Sequence, residues 1–421
     1  MRTRFGGLWG HPDFLKLWAG QTISFFGSAF TTLALPLTAV LVLGATPFEM
    51  GVLAAIGGAP WFLFGPFAGV WIDRVRHRPV LIGTDLVRAL LLGTIPLAAA
   101  LGVLRLGHLY LIAFPIGVAS VLFEIAQQSY FPTLVTRTRL IEGNSKLSAS
   151  LTVANIAAPG LAGGAIQLLT APFAMLFDAV SFVISAVCLS TIRTPESAPA
   201  IAVGSANVGE QIREGLRFTR DNPYIRAFTV TNVVFFFCSG IVDTVLLLYL
   251  ARDLGLPAAI IGLILGVGSV GGIVGALLAA PLTARWGLGP IILWSAMLRG
   301  VGLIAIPLAG SLPVGVVPVL IVGQFVTSGS WAVYFVNQTS TRQALVPDRL
   351  LGRVNASFWM VVRGAVPLGA LLGGLLGTQF GLHTTLVVGS MGALCSGFFL
   401  LRSPVGALRE QPSPQDDGAH G

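Results

Sequence analysis

Seven ionisable side chains lie inside apolar runs of the sequence that are long enough to cross a lipid bilayer. They are Asp85, Arg88, Glu124, Asp178, Asp243, Arg299 and Arg363. A charge at the centre of a membrane costs about 2.5–3.5 kcal/mol on insertion scales, so each of these residues needs a structural or a functional reason to be there.

Glu124 and Asp243 are the acidic residues best suited to carrying protons. No Lys or Arg occurs within one helical turn of either residue in the sequence. A carboxyl group that is removed from water without a neighbouring cation binds a proton near neutral pH. We therefore predict that Glu124 is the main proton or cation site and that Asp243 is a secondary one.

The other five charges are interpreted as structural. Asp85 and Arg88 are three residues apart, so they can form an ion pair along one helix. Asp178 and Arg299 are assigned to helix packing. Arg363 is assigned to the same group, with two alternatives: a counter-ion for the acidic residues or a contact for an anionic ligand.

Polar and aromatic side chains recur at helical spacing in four of the apolar runs, which predicts a polar stripe along each of four helices. The candidate residues are Gln21, Ser24, Ser28 and Thr31; Gln127 and Gln128; Asn232 and Ser239; and Gln324, Trp331, Tyr334 and Gln338. Because a polar stripe that faces lipid is costly, these faces are expected to line a cavity or another helix. Aromatic rings with a few polar groups suit a large, partly apolar ligand. Hydrogen bonding between helices is the alternative role for any one Ser or Thr.

Other kinds of site find no support in the sequence. The three cysteines and five histidines show neither disulfide nor metal-ligand spacing. Residues 266–271 match the nucleotide-binding pattern G-x-G-x-x-G, but they lie inside an apolar run with no preceding strand. No His–carboxylate cluster suitable for catalysis occurs in the apolar runs. We therefore expect no enzyme activity, no metal site, no cofactor and no nucleic-acid partner.

The composition decides the class of protein. Of the 421 residues, 54% are apolar and 10% are charged, and the mean hydropathy is +0.84. Soluble domains carry roughly a quarter charged residues, so this chain is predicted to be an all-α polytopic membrane protein. Twelve transmembrane helices are predicted, at 16–42, 47–71, 79–103, 108–131, 146–170, 172–192, 227–250, 257–283, 288–309, 313–336, 355–380 and 383–402.

Basic residues orient the predicted spans. With the N-terminus inside, the inner connecting segments hold nearly all of the Arg and Lys residues, whereas the outer segments hold only Arg105 and Arg252. Both termini are therefore expected to be cytoplasmic. The predicted organisation is an N-terminal bundle (1–192), a cytoplasmic linker with an amphipathic helix (193–226), a C-terminal bundle (227–402) and a disordered cytoplasmic tail (403–421).

The two halves of the chain repeat. An offset of 211 residues aligns Gly51 with Gly262 and Arg88 with Arg299, among other matches. Parallel six-span repeats are typical of secondary transporters. The predicted fold is therefore two six-helix bundles related by pseudo-twofold symmetry.

The segment 69–78, between the second and third predicted spans, resembles a loop motif of the major facilitator superfamily, G-x-x-x-D-R-x-G-R-R. The residues assigned to it are Gly69, Asp73, Arg74, Arg76 and Arg78. At Val75-Arg76 the sequence departs from the residue-Gly-Arg that the motif usually has at this point. In that superfamily the loop packs against the other half on the cytoplasmic side, so the resemblance implies a gate. A positively charged inner loop is the alternative explanation for the arginines.

A second resemblance lies in the fifth predicted span. Pro159, Gly163 and Gly164 resemble the antiporter motif of drug-exporting facilitators, with Ala158 in place of its leading Gly. A Pro with small residues bends a helix and lets another backbone approach closely. Ordinary small-residue packing is the alternative.

The chain up to about residue 403 is similar to the bacterial exporters grouped with macrolide-efflux and enterobactin (siderophore) export proteins. Segments 14–21, 127–135 and 367–374 carry much of this similarity. It implies the major facilitator fold and secondary active efflux of a small amphipathic compound by alternating access. Proton antiport, driven by the transmembrane proton gradient, is expected to supply the energy. A proton-coupled importer or symporter of a small metabolite is the alternative.

The same resemblance implies where the protein works. It is expected to be a multi-pass protein of the bacterial inner membrane. Its expected partners are a small-molecule substrate and the lipid bilayer. A monomer without an obligate protein partner is predicted.

Overall fold

The computed structural model describes residues 7–72, 74–196, 208–310 and 315–410. Every regular element in these ranges is a helix, and twelve helices are long and apolar enough to cross a membrane. The prediction of an all-α chain with twelve spans is therefore confirmed. Asp73 of the loop motif and most of the predicted tail lie outside the described residues.

The helices follow one another with short connections. They are α1 (Pro12–Leu37), α2 (Pro47–Ile72), α3 (His77–Ala100), α4 (Leu106–Leu134), α5 (Leu140–Leu169), α6 (Ala171–Ala174), α7 (Leu176–Ser190), α8 (Val208–Asp221), α9 (Pro223–Leu248), α10 (Ala258–Trp286), α11 (Leu288–Leu308), α12 (Val316–Leu345), α13 (Asp348–Phe380), α14 (Leu382–Cys395) and α15 (Phe398–Leu401). Helices α6 and α7 together form the sixth span, and α14 and α15 form the twelfth. The amphipathic helix α8 lies within the predicted linker.

Local side-chain hydrogen bonds begin several of these helices. Before α2, the backbone N–H of Thr46 donates to Glu49 Oε2 at 2.7 Å, and the N–H of Glu49 donates to Thr46 Oγ1 at 3.3 Å. Before α9, Asn222 Oδ1 accepts from the backbone N–H groups of Tyr224 and Ile225 at 3.0 and 3.1 Å. Such caps satisfy backbone donors that have no partner within the helix. The sequence therefore determines these helix starts locally.

Several helices extend beyond the predicted spans, and the three longest extensions lie at ends that carry charged residues. Helix α5 begins at Leu140 rather than 146, α12 ends at Leu345 rather than 336, and α13 begins at Asp348 rather than 355. The predicted borders followed apolar runs, whereas a helix continues through polar residues that pair along it. In α5, for example, Lys146 Nζ lies 3.4 Å from Glu142 Oε1.

The chain divides into two compact units. Unit 1 consists of Met1–Ala45, Ala59–Gly204 and Gly255–Gly266, and unit 2 consists of Thr46–Gly58, Ser205–Leu254 and Val267–Gly421. Each unit therefore contains most of one half of the chain together with the beginning of one helix, α10 or α2, from the other half.

In unit 1, α5 and the first turns of α10 cross with their backbones in contact. A Cβ atom on Gly262 would overlap the carbonyl oxygen of Pro159, and one on Gly163 would overlap the carbonyl oxygen of Ala258. Only glycine permits so close a crossing. The close approach predicted from the small residues of the fifth span is therefore present, and Pro159 and Gly163 form it. Gly164 faces open space instead, since a Cβ there would meet nothing within 4 Å.

In unit 2, α2 and α13 cross in the same way. A Cβ atom on Gly51 would lie 2.6 Å from the carbonyl oxygen of Ala370 and 3.1 Å from Cα of Gly374. The offset of 211 residues relates Gly51 to Gly262, Ala370 to Pro159 and Gly374 to Gly163. The two crossings are therefore the same structure in two copies of the repeat.

The linker helix α8 packs on α13 within unit 2. Glu214 forms an ion pair with Arg353, and Ser357 Oγ donates a hydrogen bond to the backbone oxygen of Ile212 at 3.3 Å. A Cβ on Gly215 would lie 2.5 Å from the carbonyl oxygen of Arg353. Contacts along one face thus hold the helix against α13.

Candidate functional site

Unit 1 buries two carboxyl groups and one guanidinium between α3 and α7. Asp85 and Asp178 are 0% and 1% exposed, and Arg88 is 6% exposed. Asp85 and Arg88 form an ion pair along α3. Asp178 lies on α7, and its Oδ1 accepts a hydrogen bond from Ser181 Oγ at 3.1 Å. We call Asp85, Arg88 and Asp178 the acid–arginine cluster.

Aromatic rings and the backbone of α1 pack against the acid–arginine cluster. Cζ of Arg88 lies 4.3 Å from the ring centroid of Phe123 on α4 and 4.1 Å from that of Phe182 on α7. On α1, a Cβ atom at Gly27 would lie 2.6 Å from Oδ1 of Asp178. Ring faces stabilise a cation that has left water, so these contacts favour a charged Arg88.

Unit 2 buries the repeat counterpart of Arg88 in a different environment. Arg299 is 0% exposed, and no carboxylate among the described residues pairs with it. Its Cζ lies 3.7 Å from the ring centroid of Phe235, 4.3 Å from that of Tyr334 and 5.6 Å from that of Trp331. We call these four residues the arginine–aromatic cluster. Aromatic faces rather than carboxylates surround this cation.

Three of the predicted substrate candidates lie in or beside this cluster: Trp331 and Tyr334 belong to it, and Asn232 contacts it. Asn232 Nδ2 donates to Tyr334 Oη at 2.9 Å and to the backbone oxygen of Phe228 at 2.8 Å. A second buried cation, Arg342, is 2% exposed, and its Cζ lies 4.0 Å from the ring centroid of Phe358. The polar groups of unit 2 are thus embedded in aromatic rings from α9, α12 and α13.

Further rings extend the aromatic surface of unit 2. The ring of Trp331 stacks on that of Phe235 with an interplanar angle of 7°, and it meets Phe236 edge-on at 5.5 Å. Trp359 lies 6.4 Å from Phe236, and Cζ of Arg363 lies 5.5 Å from the Trp359 ring. Large apolar rings with a few polar groups among them are the usual lining of sites for large, partly apolar ligands.

The other predicted polar residues differ in burial. Gln21 is 1% exposed and neither atom of its amide has a hydrogen-bond partner among the described residues. Ser24 and Gln338 are also buried; Ser28, Thr31, Gln127, Ser239 and Gln324 are half-buried; and Gln128 is exposed. Their participation in a substrate site therefore stays a prediction.

The two predicted proton sites lie in different units. Glu124 on α4 is half-buried, directly follows Phe123 of unit 1 and makes a polar contact of its own. Asp243 on α9 of unit 2 is exposed at the surface of the chain, with no hydrogen bond or ion pair to any described residue. Neither side chain is enclosed in the way that Asp85 is.

The described part of the loop motif is tied to the end of α7. Arg78 Nε donates to the backbone oxygen of Leu189 at 2.8 Å. Glu196 accepts hydrogen bonds from the backbone N–H groups of His77 and Arg78 at 2.5 and 3.2 Å, so it caps the start of α3. Gly69 is half-buried, and Arg74 and Arg76 are exposed. The predicted gating role of Asp73 falls outside the described residues.

Several residues of these clusters are not recognisable as site residues in the sequence. Phe235 is one of three consecutive phenylalanines in an apolar run, and Trp359 occurs without a polar stripe around it. Arg342 belongs by its position in the sequence to the basic residues of the inner connecting segments, but it is buried near the end of α12. The sequence repeat could have identified one pair of these aromatic residues. The 211-residue offset aligns Phe123 with Tyr334, and both rings lie over an arginine.

The described residues contain no group of three or more His, Cys, Asp or Glu side chains that could hold a metal ion. Their buried charges are organised around arginine and aromatic rings. The side chains at these positions form an ion pair, cation–π contacts and hydrogen bonds.

The transmembrane secretion effector family (MFS_3) matches residues 9–417 of the chain. The match covers nearly the whole sequence, so the chain belongs to this family of major facilitator transporters. The resemblance predicted from the loop and fifth-span motifs is confirmed. Membership in a transporter family also confirms that the chain is not an enzyme.

Two similar proteins have named activities. The chain is 28% identical over 410 residues to the multidrug efflux pump Tap of Mycolicibacterium fortuitum, covering 95% of this chain and 97% of that protein. It is 22% identical over 382 residues to macrolide efflux protein A of Streptococcus pyogenes, covering 90% and 93%. The similarity therefore extends over nearly the full length of both relatives.

Solved structures share the fold. A bacterial homologue of the iron transporter ferroportin, in its inward-facing state, superposes with a TM-score of 0.76 at 19% identity, covering 93% of this chain and 98% of that one. The nucleoside transporter NupG superposes with a TM-score of 0.74 at 12% identity, covering 92% and 98%. At these identities the likeness concerns the fold alone, and it confirms the predicted fold class.

Proposed function

We propose that this protein is a secondary active efflux transporter that exports a small amphipathic compound in exchange for protons. The observation that carries this proposal is the near full-length similarity to two bacterial efflux proteins, one acting on multiple drugs and the other on macrolides. The direction of transport is proposed as outward for the same reason. Alternating access is proposed as the transport mechanism, and membership in a family of major facilitator transporters supports it.

The substrate class is proposed from the side chains of unit 2. The arginine–aromatic cluster and the neighbouring rings of Phe236 and Trp359 present large apolar faces beside a few polar groups. Such a surface suits a bulky, partly apolar molecule of the drug, macrolide or siderophore type. The polar stripes, among them Gln21 and Asn232, are proposed to supply the hydrogen bonds that orient it.

Glu124 is proposed as the main site at which protons and substrate compete, with Asp243 as the secondary site. A half-buried carboxyl group in a span changes its charge when it takes up a proton, and that charge controls its attraction for a cationic substrate. The proton gradient across the membrane then supplies the energy, and no bound cofactor is proposed. Residues 69–78 are proposed as the gate.

The proposed setting is the inner membrane of a bacterium. We propose a monomer with both termini in the cytoplasm, because the basic residues cluster in the segments assigned to that side. A proton-coupled importer is the competing function, because the fold serves both directions. The similarity to efflux proteins favours export.

The proposed function is tested by drug accumulation in an efflux-deficient bacterium that produces either the intact protein or a variant. A panel of macrolides and fluorescent cationic dyes is compared with and without a protonophore. We expect several-fold lower accumulation of at least one compound with the intact protein, because proton entry drives its export. The protonophore and Glu124→Gln should both abolish that difference.

Glu210→Gln is the matched control, because Glu210 is an exposed acidic residue on the linker helix α8. This variant should export as well as the intact protein. Raised accumulation with the intact protein would identify an importer. Export that survives Glu124→Gln with unchanged pH dependence would show that Glu124 does not couple protons to transport.

A further inference from the structure

The acid–arginine cluster in unit 1 carries an excess of acid. Two carboxyl groups, Asp85 and Asp178, share one guanidinium in a site where all three side chains are at least nine-tenths buried. If every group were ionised, the site would hold a net negative charge inside a membrane protein. An uncompensated charge in such an environment is very costly, and a buried group avoids the cost by changing its protonation state.

Hydroxyl groups and the guanidinium complete the surroundings of the two carboxyl groups. Asp85 is paired with Arg88, and the buried hydroxyl of Ser185 on α7 also acts on it. Because a hydroxyl and a guanidinium both donate hydrogen bonds, these surroundings suit a charged Asp85 carboxylate.

The contacts indicate which carboxyl group is neutral. Asp85 forms the ion pair with Arg88, so it is the ionised partner. Asp178 has no such ion pair among the described residues, and Ser181 Oγ donates to it. A carboxyl group held by hydroxyls rather than by a guanidinium is more easily kept neutral.

The second copy of the repeat provides an internal comparison. Arg299 occupies the position of Arg88, but the 211-residue offset places Ala296 at the position of Asp85 and Gly389 at that of Asp178. The arginine and its ring contact are kept, with Tyr334 at the position of Phe123. The second copy of the repeat therefore keeps the buried arginine without either carboxyl group, so the acidic pair is a feature of unit 1 alone.

We propose that the acid–arginine cluster is a proton-binding site, in which Asp85 and Asp178 together hold a single proton that is carried mainly by Asp178. Binding forms an O–H bond on the Asp178 carboxylate, and release returns the proton to water. Release leaves two carboxylates beside one guanidinium, so the proton can leave only when water or a cation reaches the cluster. Proton occupancy is thereby tied to the access of water to unit 1.

The groups that face the cluster are few. Within unit 1, the charged groups that act on it are its own three members. Helix α1 contributes Gly27 and the hydroxyl of Thr31, and α4 contributes the ring of Phe123. Glu124 directly follows Phe123 and carries a polar contact of its own, so it is tested separately below.

The proton is detected by infrared spectroscopy of the purified full-length protein, for which no substrate is needed. A protonated carboxyl group has a C=O stretching band that an ionised carboxylate lacks. At neutral pH we expect the spectrum of the intact protein minus that of Asp178→Asn to contain this band. Asp85→Asn should remove the same band, because Asp178 is then left as the ionised partner of Arg88. The band of the intact protein should disappear on raising the pH.

Asp253→Asn is the matched control, since Asp253 is exposed beyond the end of α9 and should contribute only the bands of an ionised carboxylate. Glu124→Gln should leave the cluster's band in place. Thermal unfolding supplies a second measurement: Asn resembles a protonated Asp, so Asp178→Asn should unfold near the temperature of the intact protein. If Asp178→Asn does not fold, Asp85→Asn decides the question by the same difference spectrum.

Difference spectra that contain only ionised carboxylate bands for both variants, over the whole pH range, would overturn the proposal. An Asp178→Asn variant that folds but unfolds at a much lower temperature than the intact protein would do so as well, because Asn should replace a neutral Asp178 at little cost in stability. The inference rests on the proposed function only for the role of this proton in transport. Failure of this proposal and failure of the proposed function can be told apart, because the infrared spectra do not depend on export and the accumulation assay does not depend on the spectra.

Discussion

At the scale of single residues, two arginines at equivalent positions of the repeat show how one side chain is kept buried in two ways. Arg88 pairs with Asp85 and touches two rings, whereas Arg299 touches three rings and pairs with no described acid. A guanidinium is planar and weakly hydrated, so it can lie flat on aromatic faces where an ammonium group cannot. The ring contacts are therefore expected to stabilise Arg299.

Arg299→Lys tests this expectation. Lysine keeps the charge but loses the planar contact with Phe235 and Tyr334, so the variant should be less stable by about 1–2 kcal/mol, the range of desolvated cation–π contacts. The measurement is thermal unfolding in detergent. Arg285→Lys is the control, because Arg285 is exposed and should tolerate the change. Equal stability of both variants would show that the rings do not stabilise the buried cation.

At the scale of helices, the two glycine crossings explain where small residues are required and where they are not. The crossing of α5 with α10 and that of α2 with α13 bring backbone atoms together at repeat-equivalent positions. Other glycines on the same helices have room, such as Gly272 on α10, whose added Cβ would lie 3.9 Å from the carbonyl oxygen of Ser328. The loss of stability on replacing a glycine therefore depends on which atoms its new Cβ would contact.

Gly262→Ala and Gly272→Ala are a matched pair on α10. Replacing Gly with Ala favours a helix by about 1 kcal/mol at either position. Gly272→Ala should therefore be at least as stable as the intact protein. Gly262→Ala should be less stable despite the same gain, because its Cβ would overlap the carbonyl oxygen of Pro159. Thermal unfolding compares them, and a Gly262→Ala variant as stable as Gly272→Ala would refute the close crossing.

At the scale of the whole molecule, the distribution of charge determines how the chain is inserted. The net charge of +8 is concentrated in segments that fall on one side when twelve spans are threaded through a bilayer. Basic residues are retained on the cytoplasmic side during insertion. Both ends of the chain should therefore lie in the cytoplasm.

Reporter fusions test this orientation. Green fluorescent protein joined after residue 410 should fluoresce, because it folds in the cytoplasm. Alkaline phosphatase inserted after Gly102, between α3 and α4, should be active, because that connection is expected to face outward. Phosphatase activity from a fusion after residue 410 would reverse the predicted orientation.

Much of the architecture was predictable from the sequence, because it depends on local patterns. Apolar length gives the number of spans, and small residues at helical spacing indicate the crossing formed by Pro159 and Gly163. The 211-residue offset by itself identifies Arg88 and Arg299 as counterparts. These features are readable because each depends on residues that are close in the sequence or related by one constant offset.

The environment of each buried charge was decided only by the tertiary structure. The sequence shows that Asp85 can pair with Arg88, but Asp178 reaches the same cluster from a helix about ninety residues further along the chain. In the same way, Phe235 becomes a partner of Arg299 only when α9 packs beside α11 and α12. Burial and the identity of neighbouring groups determine the charge that a side chain can hold, and both arise from contacts between helices that are distant in the sequence.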